Sequence, residues 1–346
     1  MVKGVSKNSL QEILGIASET VFGKDSAKGA CKDKICGFAS DSLIFDSPEK
    51  ISTGCDLMDY YLKGGIPLSR LTEIFGDPNK GKSTILASIY SSIQKMGGLA
   101  VHLLSEPEFD SGRWIRMGVK VDELMVVPID IIEIGFQAIR NIARKSGELG
   151  IPSVIGWDTL DGALTKNEYD SFENPKAEWS SGMMDKFKKI RRELGRIKHE
   201  LPRNKCGLII VQQSIANPMP YSKTESGGGG GIKFYSDLRL YLSGGKSVKL
   251  PDGRIGLKTN IEIRKSKVCP PYRKFPIIID PENGIDNDIT NYDFLVDNKN
   301  DLIKESKGWY SIGGSSKVRW SEYKKVLQEN EGLRNTIKLQ MEQYIV

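Results

Sequence analysis

From about residue 40 to 284, short apolar runs alternate with stretches of helical period. The runs are Leu71–Phe75, Leu99–Leu104, Leu124–Pro128, Val154–Asp158, Gly207–Gln212 and Leu238–Leu242. Uninterrupted runs of this length, separated by helical segments, predict a mostly parallel, twisted α/β sheet flanked by helices on both faces. Two later runs, Leu257–Arg264 and Phe275–Ile279, predict an antiparallel extension of that sheet. Between Met183 and Leu201, the residues Met183, Phe187, Ile190, Leu194, Ile197 and Leu201 recur at spacings of four and three, which predicts an amphipathic helix. Its opposite face carries Lys186, Lys188, Lys189, Arg191, Arg192, Arg196 and Lys198, a face either simply solvated or turned toward an anionic partner.

The ends of the chain read differently. In residues 1–39, Ser9 and Glu12 form a capping-box pattern ahead of Leu10, Ile13 and Leu14. One short helix cannot bury that apolar face alone, so this segment is expected either to pack on its own core or to dock on a neighbouring subunit as an oligomerisation element. Residues 285–346 predict a small α/β domain ending in a helix around Tyr323–Tyr344. Two stretches, 167–181 and 214–231, have no clear period; the second ends in Gly227–Gly231. Loops of this length inside a compact domain tend to carry function.

Composition narrows the class. No apolar run approaches the roughly 18 residues of a membrane span. Met1-Val2-Lys3-Gly4 is followed by polar residues, without the pattern of a signal peptide. The five cysteines, Cys31, Cys36, Cys55, Cys206 and Cys269, are odd in number and scattered, as expected in a reducing cytoplasm. Cys31 and Cys36 have no second pair nearby to complete a zinc site. A net charge of +6 permits nucleic-acid binding without demanding it.

The chemistry starts at Gly76-Asp77-Pro78-Asn79-Lys80-Gly81-Lys82-Ser83-Thr84, which fits G-x-x-x-x-G-K-S between a strand and a helix. Glycines allow backbone N–H groups to close on phosphate oxygens, and the helix N-terminus adds partial positive charge. Lys82 is placed for the β- and γ-phosphates of a nucleoside triphosphate, and Ser83 for Mg²⁺. Asp158, at the end of a buried-strand pattern, can hold the Mg²⁺ shell, or can cap a helix. Glu106 follows the Leu99–Leu104 strand, which is expected to neighbour the phosphate-loop strand. It is a candidate base for an attacking water, with Glu108 as competitor. Gln212 and Gln213 end another strand. An amide there can sense the γ-phosphate, or be a satisfied surface group.

Taken together, the chain resembles the RecA-family strand-exchange recombinases of bacteria and their phages. The resemblance covers nearly its whole length. It rests on Ile51-Ser52-Thr53-Gly54 ahead of the core, Ser105-Glu106 with Phe109-Asp110 and Met117-Gly118-Val119, and Gly230-Gly231-Ile232-Lys233-Phe234-Tyr235-Ser236. Lys265-Ser266-Lys267 and Gly308-Trp309-Tyr310-Ser311 complete it. It implies a RecA-like ATPase core at 40–284 and a DNA-dependent ATPase that uses ATP and Mg²⁺. The expected partners are single- and double-stranded DNA, further copies of the chain in a helical filament, and single-strand-binding and loader proteins. The expected location is a bacterial or phage-infected cytoplasm. The resemblance implies Gly76, Gly81, Lys82, Ser83 and Thr84 as phosphate and Mg²⁺ ligands, Glu106 as base, Asp158 as metal-shell acid and Gln213 as γ-phosphate sensor. Asp110 would meet the adenine amino group. Lys233 and Phe234 would lie at the subunit interface, with Lys265 and Lys267 reaching a neighbour's nucleotide. Stretches 167–181 and 214–231 would be DNA loops, the second with Met219, Tyr221, Lys223, Thr224, Ser226, Gly227, Gly228, Gly229 and Gly230 on DNA.

Some positions depart from the pattern. Arg113 stands where bacterial members often have an aromatic near the adenine, and Pro78 and Lys80 replace small residues. From Lys307 onward there are seven Lys/Arg against four Glu, so a self-inhibitory acidic tail is not expected. The tail and the glycine run lean toward a phage recombinase. Two rival readings are a hexameric helicase on the same core and a non-catalytic, ATP-gated repair scaffold. The first usually has an arginine finger and a large N-terminal domain; the second does not need both Glu106 and Asp158.

Overall fold

The computed structural model describes residues 48–106, 109–173, 183–215, 224–227, 229–298, 303–306, 309–312 and 318–345. The 1–39 element, Cys31 and Cys36, Glu108, Met219, Tyr221, Lys223 and Gly228 lie outside the described residues.

The expected strands form one ten-stranded sheet among the described residues. Its parallel part is β5 (Leu124–Pro128), β4 (Leu99–Leu104), β6 (Ser153–Asp158), β7 (Cys206–Ile215), β3 (Leu71–Gly76) and β9 (Leu238–Lys249), in that spatial order. β10 (Ile255–Ser266), β11 (Lys274–Asp280) and β12 (Gly284–Ile285) extend it antiparallel from β9. A two-stranded sheet, β1 (Lys50–Ile51) with β2 (Ile66–Pro67), lies ahead of β3. β8 (Glu225–Ser226) pairs with the end of β7.

This order corrects one expectation. β4, which leads to Glu106, is not beside the phosphate-loop strand; β6 and β7 lie between them. β4 pairs with β6 in a register that sets Leu104 opposite Asp158. Strand order depends on which crossovers close over which face, and a list of apolar runs does not contain that.

Alternate residues along the parallel strands enter different cores, as expected for a sheet covered on both sides. Ile74, Val154, Ile209 and Val211 join the core with α2 (Lys82–Lys95). Val101, Ile155, Trp157, Leu208 and Ile210 join the one with α4 (Ile132–Glu148) and α6 (Met183–Arg203). Ile190, Leu194, Ile197 and Leu201 are the buried stripe of α6, as their spacing predicts.

Both aperiodic stretches contain more structure than expected. Residues Lys166–Glu173 form helix α5. It is started by Thr165, whose N–H donates to Glu168 Oε2 (2.7 Å) while its hydroxyl accepts from the Glu168 N–H (3.2 Å). In the second stretch, β7 continues to Ile215 and helix α7 begins at Gly229 (Gly229–Tyr235). The glycines there serve packing. A β-carbon on Gly229 (φ +74°) would lie 2.7 Å from the Phe187 ring, and one on Gly231 3.0 Å from Arg191 Cβ, so α7 sits close against α6.

Residues 49–346 form one compact unit. In its last part, α8 (Asn287–Asp297) packs on α1 (Asp56–Tyr61), and the chain then forms the sheet β13 (Ile303–Ser306), β14 (Trp309–Ile312) and β15 (Val318–Arg319). The terminal helix is broken at Asn330 into α9 (Tyr323–Glu329) and α10 (Glu331–Ile345). Tyr323, Leu327, Ile337 and Met341 share the main core. Among the described residues no helix is long and apolar enough to cross a membrane.

Candidate nucleotide and DNA site

The loop from Gly76 to Gly81 joins β3 to α2 at the C-terminal edge of the parallel strands, where open α/β sheets bind ligands. Gly81 is left-handed (φ +88°), and a β-carbon there would lie 2.1 Å from Ile279 Cδ1, so the start of α2 favours glycine. Asn79 is also left-handed (φ +57°), a conformation its short amide tolerates. A cleft of about 280 Å³ is lined by Asn79 to Thr84, Arg113, Leu257, Ile279 and Pro281.

Lys82 is buried. Its ammonium donates to the carbonyls of Gly76 (2.9 Å) and Asp77 (2.7 Å). Burial lowers its pKa, opposed by the charges of Asp158, Asp77 and Glu106. Ser83 Oγ donates to Asp158 Oδ2 at 2.6 Å. Burial raises the Asp158 pKa, and the Ser83 hydrogen bond pulls it back. Asp158 thus faces the phosphate loop, and the residue at the N-cap of the next short helix is Thr159.

Glu106 approaches this centre although its strand lies three positions from β3. Its Oε1 accepts from Thr159 Oγ1 (2.9 Å), next to Asp158. The paired register of β4 and β6 delivers both carboxylates to one edge. On β7, Gln212 is buried and its amide donates to Asp161 (3.3 Å), whereas Gln213 is exposed beside Gly76. The period of two separates the neighbouring amides: one is buried, the other exposed at the level of Gly76.

Asp110 caps the helix α3 (Ser111–Arg116), accepting from the Arg113 N–H at 2.9 Å. Arg113 Nη2 donates to Thr84 Oγ1 (3.0 Å), while its buried Nε has no hydrogen-bond partner. The side chain expected near a base is therefore tied to the phosphate-loop helix. The carbonyl of Lys80 accepts from Thr259 Oγ1 (3.2 Å), which joins the loop to β10.

The interface candidates lie elsewhere. Lys265 pairs across β9 with Arg239, at the level of Glu73, and Ser266 with Leu238, at the level of Thr72. By strand rise and spacing, Lys265 is about 14 Å from Gly76, beyond the reach of a lysine stem. Its ammonium donates to the carbonyls of Lys233 and Phe234 (2.8 Å each), and Lys267 pairs with Asp237 (2.7 Å). Phe234 is 64 % exposed, and Lys233 pairs with Glu225 (2.8 Å). On α6, Lys186 donates to the carbonyls of Asp161 and Ala163, and Lys189 and Arg196 pair with carboxylates. Lys188, Arg191, Arg192 and Lys198 are exposed.

Several residues at the site were not anticipated. Asp161, three positions after Asp158, is signalled only by a second carboxylate in the same strand-end run. Burial raises its pKa against the pull of Lys186. Glu73 and Arg239 form a buried ion pair between β3 and β9. Arg239 also donates to Glu225 Oε2 and Ser226 Oγ at the base of the second loop (3.3 Å each). Ser214 Oγ donates to Asp77 Oδ1 at 2.6 Å. No local pattern marks these pairs.

Residues 28–286 match the family model described as the RecA N-terminal domain. Curated relatives are similar over most of their length. Protein RecA of Sulfurimonas denitrificans is 31% identical over 270 residues, covering 77% of this chain and 75% of that protein. Protein RecA of Chlorobaculum tepidum is 29% identical over 342 residues, covering 95% and 91%. Protein RecA of Geobacter metallireducens is 28% identical over 318 residues, covering 91% and 86%. With a family match across three quarters of its length, a phosphate loop on a parallel sheet and a strand-end carboxylate in contact with that loop, this chain belongs to the RecA family.

Proposed function

We propose that this chain is an ATP-dependent recombinase that assembles as a helical filament on single-stranded DNA and pairs it with homologous duplex. The observation that carries this reading is the division of the site. The phosphate loop, Asp158 and Glu106 share one edge of the sheet, while Lys265 and Lys267 sit too far back to serve their own loop. A site completed by a neighbour makes head-to-tail assembly and nucleotide binding one event.

The residues fit a magnesium–ATP complex. The buried Lys82 ammonium suits the phosphates, and a hydroxyl and a carboxylate already in contact suit Mg²⁺, which usually binds one or two carboxylates together with substrate phosphates. When bound, that complex supplies a phosphoanhydride whose terminal phosphoryl group can pass to water. Lys82 and the Gly76–Thr84 backbone bind and orient the phosphates. Ser83 and Asp158 hold the metal side. Glu106, held by Thr159, accepts a proton from water at a carboxylate oxygen. Gln213, exposed beside Gly76, is set to respond to the terminal phosphate. Asp110 and Arg113 border the base side.

DNA contact falls to the loops at about 167–181 and 214–231 and to the exposed Lys188, Arg191, Arg192 and Lys198. Exposed cations that meet the phosphate backbone and read few bases bind single strands with little sequence preference. Electron microscopy with ATP, Mg²⁺ and single-stranded DNA, together with a strand-exchange assay, tests this reading. Helical filaments and exchanged strands are expected. Closed rings would replace it with a helicase, and absence of assembly with a scaffold.

A further inference from the structure

The base of the second loop is mounted on the phosphate-loop strand at two points. β7 and β8 close the loop as a short ladder, Ser214 opposite Ser226 and Ile215 opposite Glu225. The Gly227 N–H adds a bond to the Gln213 carbonyl (3.1 Å). On the β8 side, Glu225 and Ser226 accept from Arg239, which is ion-paired to fully buried Glu73 of β3. A buried ion pair is costly to break on one side, so this point is fixed. On the β7 side, Ser214 Oγ donates to Asp77 Oδ1, inside the phosphate loop itself.

Asp77 is held at both of its ends. Its side chain takes the Ser214 hydroxyl (2.6 Å), and its carbonyl takes the Lys82 ammonium (2.7 Å). The Lys82 bond is to a neutral carbonyl. A phosphate oxygen offers the same ammonium a charge-assisted bond, which is stronger. With a triphosphate bound, the Lys82 ammonium would leave the Asp77 carbonyl, and the Asp77 peptide with its carboxylate would be held by one bond fewer.

We propose that Asp77 and Ser214 are positioning residues that transmit nucleotide occupancy to the second DNA loop. The β7 strand of the loop base follows the phosphate loop, while the β8 strand stays on Arg239. The loop base shears, and the residues it presents to DNA are reset. This rests on the function proposed above, and it adds a side-chain route beside the exposed Gln213.

The test is a double-mutant cycle on the full chain. Fluorescence anisotropy measures affinity for labelled oligo-dT, without nucleotide and with Mg²⁺ and a non-hydrolysable ATP analogue. The readout is the affinity gain that the nucleotide produces. Ser214→Ala and Asp77→Ala are each expected to reduce that gain about tenfold, the scale of one hydrogen bond to a charged group. The double variant should lose no more than either single one, because all three lack the same bond. Ser214→Thr, which keeps the hydroxyl, should restore the gain. Losses that multiply in the double variant, or a Ser214→Ala chain with the parent's gain, overturn the link while leaving the proposed function standing. Failure of Ser214→Thr to restore the gain also overturns it. A parent chain that gains no affinity with nucleotide overturns both.

Discussion

The divided site makes a quantitative prediction about mixed filaments. Lys265 lies at the level of Glu73, three residues back from Gly76 and two strands across from it. At a rise of about 3.3 Å and a strand spacing of about 4.8 Å, the separation is about 14 Å before the further distance to Lys82 is added. Lys265→Ala/Lys267→Ala leaves a chain with an intact phosphate loop and no lysines to offer a neighbour. Lys82→Ala leaves the reverse. Each alone should lose about 10²–10³-fold in ATP turnover, the scale for removing one electrostatic partner of the transition state. In an equal mixture that assembles at random, half of the loops are intact, and half of those meet an intact lysine pair. About one quarter of the interfaces are then complete, so turnover should recover to about one quarter of the parent value. The assay is steady-state ATPase on single-stranded DNA as a function of mixing ratio, with co-assembly checked by energy transfer between labelled variants. If mixed filaments form and turnover stays at the level of either parent variant, the lysines do not act across the interface and the divided site must be abandoned.

Further tests address single elements. Glu106→Gln should retain ATP binding, measured with a fluorescent analogue, and lose turnover by about 10²–10⁴-fold, the scale for a general base; normal turnover would remove Glu106 from that role. Burial in an aromatic cluster with Tyr90, Phe109 and Trp114 pushes the His102 imidazole down to about 4. Below pH ~6.5 the unfolded chain therefore takes up a proton that folded His102 refuses, and stability falls progressively toward pH ~4. Urea unfolding should show the parent losing about 2–3 kcal/mol more than His102→Phe between pH 7 and pH ~4.5, whereas equal pH slopes would place the loss elsewhere. Gly229→Ala should cost about 1–3 kcal/mol, since a β-carbon meets the Phe187 ring in a left-handed backbone; an unchanged melting temperature would mean that α7 does not need glycine there.

What could be read along the chain was local. β4 has the boundaries its apolar run predicts, because a strand covered on both faces is mostly apolar and stops where turns begin; β5 keeps its run's boundaries too, although at the sheet edge Met125 and Val126 are exposed. The phosphate loop was legible for the same reason. Gly81, Lys82 and Ser83 act through the backbone and side chains of one turn, so spacing alone records their geometry. The buried stripe of α6 was written in its period. Tertiary structure decided everything that depends on which segments meet. It inserted β6 and β7 between β3 and β4, yet still brought Glu106 to Asp158 by pairing their strands. It separated Gln212 from Gln213 and set Lys265 and Lys267 away from their own loop. It turned part of a glycine run into a helix contact. Ser214 and Asp77 are 137 residues apart in the chain, and Arg239 and Glu73 are 166 apart. No local propensity encodes such pairs. They arise when sheet order and register bring distant strands together, and that geometry is selected by burial of the whole core, not by any one segment.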